Sequence, residues 1–263
     1  MNDEGKNKTV LITGASGGIG YELSKIFLSN GFSLIITARN KEKLEQVGQS
    51  LSENFKVDID IIPADLSQKD SPFYLYDAVK RLGRSVDILV NNAGIGLYGR
   101  FIETDIETEL EMIDLNIRSL TILTKLFVRE MVERNAGKIL NVSSTAGFLP
   151  VPLFSVYGAT KSFVLNFSQA LAEELRDTKV TVTTLCPGPT KTDFARRGNL
   201  EETRLFTRPM NAEIVASLAY KGLMEGKRCV IPGFGNKMLW FVSHAIPPGI
   251  LAKFTKIYME RKV

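Results

Sequence analysis

Apolar positions along the chain alternate between two periods. Short, β-branched and mostly apolar runs recur at "TVLIT" (9–13), "SLIIT" (33–37), "DIDIIPA" (58–64), "VDILVNN" (86–92), "GKILNVSS" (137–144) and "VTVTTLCP" (180–187). Strands buried on both faces of a parallel sheet read this way. Between them lie helical stripes. Ile19, Leu23, Ile26 and Phe27 mark one, ended by Asn30-Gly31 in the usual stop position. Leu44, Val47 and Leu51 mark a second. A third opens with a capping box from Thr104 to Glu107 and continues through Ile106, Leu110, Ile113, Ile117, Leu120, Phe127 and Met131. A fourth runs from Ser155 to about Arg176, with Val156, Phe163, Phe167, Ala170 and Leu171 expected to face inward. The alternation predicts one α/β domain over residues 1–263, a doubly wound Rossmann-type parallel sheet of about seven strands with right-handed crossovers.

Composition narrows the function classes. The 263 residues are 44% hydrophobic and 24% charged, with a formal net charge of +4, so no nucleic-acid partner is expected. Cys186 and Cys229 are the only cysteines and lack metal-ligand spacing, and no metal site is expected. His244 is the single histidine. No run approaches the roughly 18 apolar residues of a membrane span, and the polar opening "MNDEGKNKTV" is unlike a signal peptide, so a cytoplasmic location is expected.

Chemistry enters after the first strand, where "TGASGGIG" (13–20) leads into the first helix with glycines at 14, 18 and 20. Glycine permits the tight turn and close backbone approach, and the helix N-terminus presents free N–H groups to a pyrophosphate. The second strand ends "ITARN", placing Ala38 and Arg39 where an acid would bind the ribose 2′-hydroxyl of NAD. The missing acid and the arginine both favour NADP(H) over NAD(H). Tyr157 and Lys161, four apart, share one helix face beside Ser144 at the end of the fifth strand. A cation near the phenol would lower its pKa and make it a better acid.

These motifs, with "DL" (65–66), "NNAG" (91–94), Asn116 in "LNI" and "PG" (187–188), stand in order. On them the chain resembles the short-chain dehydrogenase/reductase family over at least residues 8–231. The resemblance implies hydride transfer between NADP(H) and a carbonyl or alcohol. In it Tyr157 is the general acid, Ser144 holds the carbonyl oxygen, Lys161 binds the nicotinamide ribose, and Asn116 continues a proton relay. It also implies cofactor contacts from Gly14, Ser16, Gly17, Gly18, Ile19, Gly20, Arg39, Asp65, Leu66, Asn92, Ala93, Gly94, Pro187, Gly188, Thr190 and Thr192. A homodimer or homotetramer through the helices 104–133 and 155–176 is expected from the same resemblance.

The apolar loop 147–156 and a lid at 190–210 should border the substrate pocket, which predicts a hydrophobic ketone, aldehyde or 3-oxoacyl substrate. Arg196, Arg197, Arg204 and Arg208 in the lid read as solvated charges. The extension 234–263 carries an amphipathic helix with Ile250, Leu251, Phe254, Ile257 and Tyr258 on one stripe. Its leading reading is docking on its own domain at the substrate mouth; peripheral membrane contact or a subunit contact are the alternatives. Two other functions compete: a non-catalytic NADP(H)-binding regulatory protein, and an epimerase or dehydratase on the same fold.

Overall fold

The apolar runs do form a parallel sheet. The computed structural model describes residues 5–260. Its strands are β1 (Thr9–Thr13), β2 (Ser33–Thr37), β3 (Ile59–Ile61), β4 (Ile88–Asn91), β5 (Gly137–Val142) and β6 (Val180–Leu185), then the short β7 (Thr190–Lys191), β8 (Met210–Asn211) and β9 (Cys229–Val230). Seven pair in the order β3-β2-β1-β4-β5-β6-β9, while β7 and β8 make a separate two-stranded ribbon. Every pairing is parallel. Alternate residues feed two cores. Val10, Ile12, Leu34, Ile36, Val90 and Leu140 face one side, and Leu11, Ile35, Leu89 and Ile139 the other.

Helices cover both faces: α1 (Gly18–Ser29), α2 (Lys41–Phe55), α3 (Ser71–Arg81), α4 (Ile106–Ile113), α5 (Leu120–Glu133), α6 (Ser155–Glu174), α7 (Asp193–Arg197), α8 (Ala212–Met224), α9 (Phe234–Ala245) and α10 (Pro248–Met259). The chain winds outward through β1, β2 and β3 and then returns to place β4 on the other side of β1. That reversal opens a crevice at the carboxyl ends of β1 and β4, where ligands of such sheets bind. Asn30 ends α1 and Gly31 follows at φ +83°, as the stop signal predicts.

Three helical expectations are corrected. Asp105, not Thr104, caps α4: its carboxylate accepts from Thr108 N at 2.8 Å, while Thr104 Oγ1 donates to Glu109 at 2.6 Å. An adjacent carboxylate one residue later outcompetes the hydroxyl for the free N–H groups. The long third stripe is also broken, because residues Asp114–Ser119 form a π-helical turn between α4 and α5. The extra residue rotates the face, so Ile106, Leu110 and Ile113 are exposed while Met112, Leu115, Asn116, Ser119 and Leu123 are buried. On α6 the inward face is Tyr157, Thr160, Lys161, Val164 and Ser168, and Phe163 and Ala170 are exposed. Polar side chains hold that face, which apolar periodicity passed over, while the expected Val156 and Leu171 are partly buried against the cores.

A buried amide chain explains how α6 stays put. Asn91 Nδ2 donates to Thr124 Oγ1 at 3.0 Å and to Asn141 Oδ1 at 2.9 Å, and Asn141 Nδ2 donates to Ser168 Oγ at 2.9 Å. The chain ties β4, β5, α5 and α6 together, and a buried network of this kind fixes one register.

Candidate active site

One cavity of about 750 Å³ runs from the glycine turn to the tail helices. At its dinucleotide end the turn is built by close approach. Gly14 (φ +66°) leaves 2.9 Å between a Cβ built there and Ala93 Cα, and Gly18 (φ +56°) leaves 2.9 Å to Thr192 Cγ2. A side chain at either place would meet both left-handed strain and a neighbour. Gly17 caps α1, and among the described residues no side chain takes up the helix's first N–H groups, so these donors and the positive end of the dipole face the cavity. The residues present therefore fit a pyrophosphate.

Gly14, Ser16, Gly17, Gly18, Ile19, Arg39, Asp65, Leu66, Asn92, Ala93, Gly94, Pro187, Gly188, Thr190 and Thr192 all line this cavity. Gly20 does not; a Cβ there would lie 2.6 Å from Gly14 O and from Asn92 Nδ2, so its part is close packing of α1 beneath the turn. Asn92 lines the wall, but its Nδ2 is committed to Thr13 O at 2.9 Å and Gly14 O at 3.1 Å. It laces the β4 loop to the glycine turn. Asp65 accepts from Ser67 N at 3.1 Å and Oγ at 2.8 Å, which fixes the carboxylate's orientation.

Ala38 and Asn40 line the cavity beside Arg39, and Asn40 caps α2 by accepting from Lys43 N at 2.7 Å. Lys43 is the basic residue that sequence reading passed over. Its Nζ pairs with Asp193 at 3.0 Å across the cleft and sits 3.8 Å from a Cβ built on Gly17. The signal was legible as Arg-Asn-x-x-Lys after the second strand, with the asparagine as a cap. Arg39 Nη1 meets Glu111 at 2.7 Å.

At the other end Tyr157 is 7% exposed and Lys161 4%. Phe154 stacks on the Tyr157 ring at 4.1 Å and Phe194 tilts against it at 5.4 Å. Burial pushes the phenol above its ordinary 10, and a hydrogen bond with Ser144 opposes that rise. Here the expected acidification by lysine is corrected. Lys161 Nζ donates to Val142 O at 3.0 Å and stands 5.6 Å from the Tyr157 ring centre. Burial lowers its own pKa to about 8. Desolvation of both groups outweighs their mutual influence.

Ser144 lies two residues past the carboxyl end of β5 and accepts from Ala146 N at 3.1 Å, capping a short 3₁₀ turn (Thr145–Gly147), while its Oγ donates to Pro187 O at 3.4 Å. Ser143, the first residue of the "SS" pair at 143–144 and given no role of its own in the sequence reading, donates to Lys161 O at 2.7 Å and pins α6 beside β5. Asn116 lies in the π turn, buried and outside the cavity wall. Its Oδ1 accepts from Ile95 N at 3.1 Å, and Nδ2 donates to Ile95 O at 2.9 Å and Thr160 Oγ1 at 3.1 Å. Both amide hydrogens are thus in use within the protein.

The substrate side is apolar. Leu149, Val151 and Phe154 from the 147–156 loop meet Phe194, Leu200, Leu205 and Phe206 from the 190–210 segment. The tail closes this end. Tyr98 Oη donates to Met259 O at 2.7 Å, Thr255 Oγ1 to Pro150 O at 2.8 Å, and a Cβ on Gly188 would touch Asn236 of α9 at 2.7 Å. His244 accompanies Trp240 on α9, its Nδ1 2.7 Å from Trp240 O, and is absent from the cavity wall.

A family model described as short chain dehydrogenase matches residues 8–203, about three-quarters of the chain. The chain belongs to the short-chain dehydrogenase family. Its sequence is 37% identical over 198 residues to the very-long-chain 3-oxoacyl-CoA reductase of Homo sapiens, covering 73% of this chain and 62% of that protein. A probable NADP-dependent dehydrogenase of Haemophilus influenzae is 35% identical over 184 residues, covering 70% of this chain and 71% of that one. The solved short-chain dehydrogenase from Sphingobium yanoikuyae in complex with NADPH superposes with a TM-score of 0.83 at 30% identity, over 93% of this chain and 95% of that chain. The chain thus carries the family's nicotinamide-dinucleotide fold and spans less than two thirds of the human relative's length.

Proposed function

We propose that this chain reduces hydrophobic carbonyl compounds with NADPH, the reaction being reversible. One observation carries the reading: a buried, protonated phenol, bonded to Ser144, shares a single cavity with a glycine turn open to phosphate. The nicotinamide dinucleotide, when bound, supplies the hydride. Tyr157 holds a proton at Oη and releases it to the carbonyl oxygen as charge develops there. Ser144 Oγ orients the same oxygen. Lys161, its Nζ fixed by Val142 O and its backbone carbonyl by Ser143, would bind the nicotinamide ribose and supply positive charge as the phenol ionises. Asn116 is a positioning residue that holds Ile95 against Thr160.

Arg39 and Lys43 would receive the 2′-phosphate, each exchanging a carboxylate partner for it; the missing acid at Ala38 removes the competing ribose contact. An epimerase would need the same tyrosine, but the apolar walls at Phe154, Phe194 and Phe206 suit an acyl chain or ring system better than a nucleotide-sugar. The 190–210 segment acts as a substrate lid in this reading. Copies of the chain pair through α4–α5 and α6, whose Ile106, Leu110, Ile113 and Phe163 are exposed.

The test is Tyr157→Phe, assayed by NADPH absorbance against aldehydes, ketones and 3-oxoacyl thioesters. The expected loss in kcat is about a hundred- to ten-thousandfold, with NADPH binding retained. Unchanged turnover would sink the proposal, as would a wild-type enzyme that binds NADPH and turns over none of the three classes.

A further inference from the structure

None of the twelve residues of α9 is fully buried, although the helix carries Phe234, Met238, Leu239, Trp240, Phe241 and Val242. Its exposed stripe sits at i, i+4, i+7 and i+8: Phe234 (79% exposed), Met238, Phe241 (62%) and Val242. The next helix repeats the same spacing sixteen residues later, with Ile250, Phe254 (59%), Ile257 and Tyr258 (65%). Residues at those offsets fall within about 100° of helix circumference, a single face. Eight large apolar side chains on consecutive helices exceed the scattered exposure that a soluble surface normally shows.

The charge pattern is one-sided. From Phe234 to Met259 the charged residues are Lys237, Lys253 and Lys256, with no acid, and Arg261 and Lys262 follow Glu260 in the sequence. Lys237 and Lys253 are also sixteen apart and so hold the same place beside the two stripes. Among the described residues none of the three lysines is ion-paired. Both helices border the mouth of the cavity, Gly235 and Leu239 from one side and Thr255 and Tyr258 from the other.

We propose that the stripes of α9 and α10 rest in the interface of a bilayer containing anionic lipid, with the lysines at its headgroups and the cavity mouth facing the membrane. Among the described residues no helix is long and apolar enough to cross a membrane, so the contact is peripheral. A second copy of the chain fits less well. A two-fold contact would oppose lysine to lysine with no acid in either helix to receive it. An acidic protein partner would answer the lysines but leave four exposed aromatic rings to explain; a lipid interface takes both.

The single tryptophan of the chain, Trp240, lies on α9 and packs edge-on against Phe241 at 4.9 Å, so it reports on this surface without labelling. The full chain is sedimented with vesicles of phosphatidylcholine alone and of phosphatidylcholine with about a third phosphatidylglycerol. Binding to the mixed vesicles, a blue shift of Trp240 emission on them, and weaker binding at high salt are expected. Phe241→Asp/Phe254→Asp should lower partitioning at least tenfold with circular dichroism unchanged. Lys237→Gln/Lys253→Gln, which leaves the stripes intact, should weaken binding to the anionic vesicles by about fivefold per lysine and leave the neutral ones unaffected. Absence of binding, or binding indifferent to lipid charge and to both double variants, overturns the proposal. So does a lipid-free wild-type oligomer that Phe241→Asp/Phe254→Asp dissociates, since a second copy would then be the occupant.

Discussion

Burying an ammonium has a signature that can be read by pH. Lys161 is 4% exposed, and burial draws its pKa from 10.5 to about 8, opposed by the Cys186 thiol nearby. Between those two values the unfolded chain keeps the proton and the folded chain has released it. Stability attributable to this group therefore rises with pH across the window from about 8 to 10.5. Below about 8 both states are protonated and the whole penalty is present. The difference of two to three pKa units corresponds to roughly 3 kcal/mol, most of which is recovered between pH 7 and 10.

Lys161→Met keeps the length of the side chain and removes the titration. Urea unfolding of cofactor-free wild type and variant at pH 7, 8, 9 and 10 isolates the effect, because all other groups titrate in both proteins. The wild type should gain roughly 2–3 kcal/mol on the variant from pH 7 to 10. Tyr157 works the other way: its raised pKa gives stability that is present below about pH 10 and lost above it, so measurements stop at 10 and the variant carries the same contribution. Parallel curves for the two proteins would refute the reasoning, since Lys161 would then titrate as if solvated.

NADPH should raise the melting temperature more than equimolar NADH, and Arg39→Asp should reverse the order; equal shifts would place the 2′-phosphate elsewhere. Gly18→Ala puts a side chain at φ +56° and 2.9 Å from Thr192 Cγ2, so a loss of about 1–2 kcal/mol in urea unfolding is expected, with weaker dinucleotide binding by calorimetry. Ser168→Ala removes the acceptor of Asn141 Nδ2 at the end of the buried amide chain, and about 1–2 kcal/mol of stability should go with it. A neutral result there would mean that the buried amide chain does not hold α6.

Much of the fold was legible because it rests on local rules. Strands buried on both faces must be apolar at every position, and a helix that meets phosphate must open on glycine, so β1, the Gly14–Gly20 turn and α1 could be read from residue order. Tyr157, Lys161 and Ser144 could be paired for the same reason, being adjacent in helix geometry or at a strand end. α3 and α8 left a weaker signature and were passed over in the sequence, although Ser71-Pro72 opens the first and Asn211 caps the second.

Other features depended on contacts between distant segments. The π turn at Asp114–Ser119 rotates the apolar face of the long helix, and no period in the sequence announces it. Lys43 finds Asp193 at a separation of 150 residues, and Asn116 binds the Ile95 backbone rather than open solvent. The sign of the Tyr157 shift was likewise a tertiary result. Four residues of spacing placed a cation near a phenol, but only the packed walls decided how much water either group keeps, and desolvation grows with burial faster than a charge at that distance can offset. Residue order alone determined which groups share an element. Their exposure, their partners and the face that the tail presents were settled by the assembled domain, because those properties belong to pairs of segments and not to any one of them.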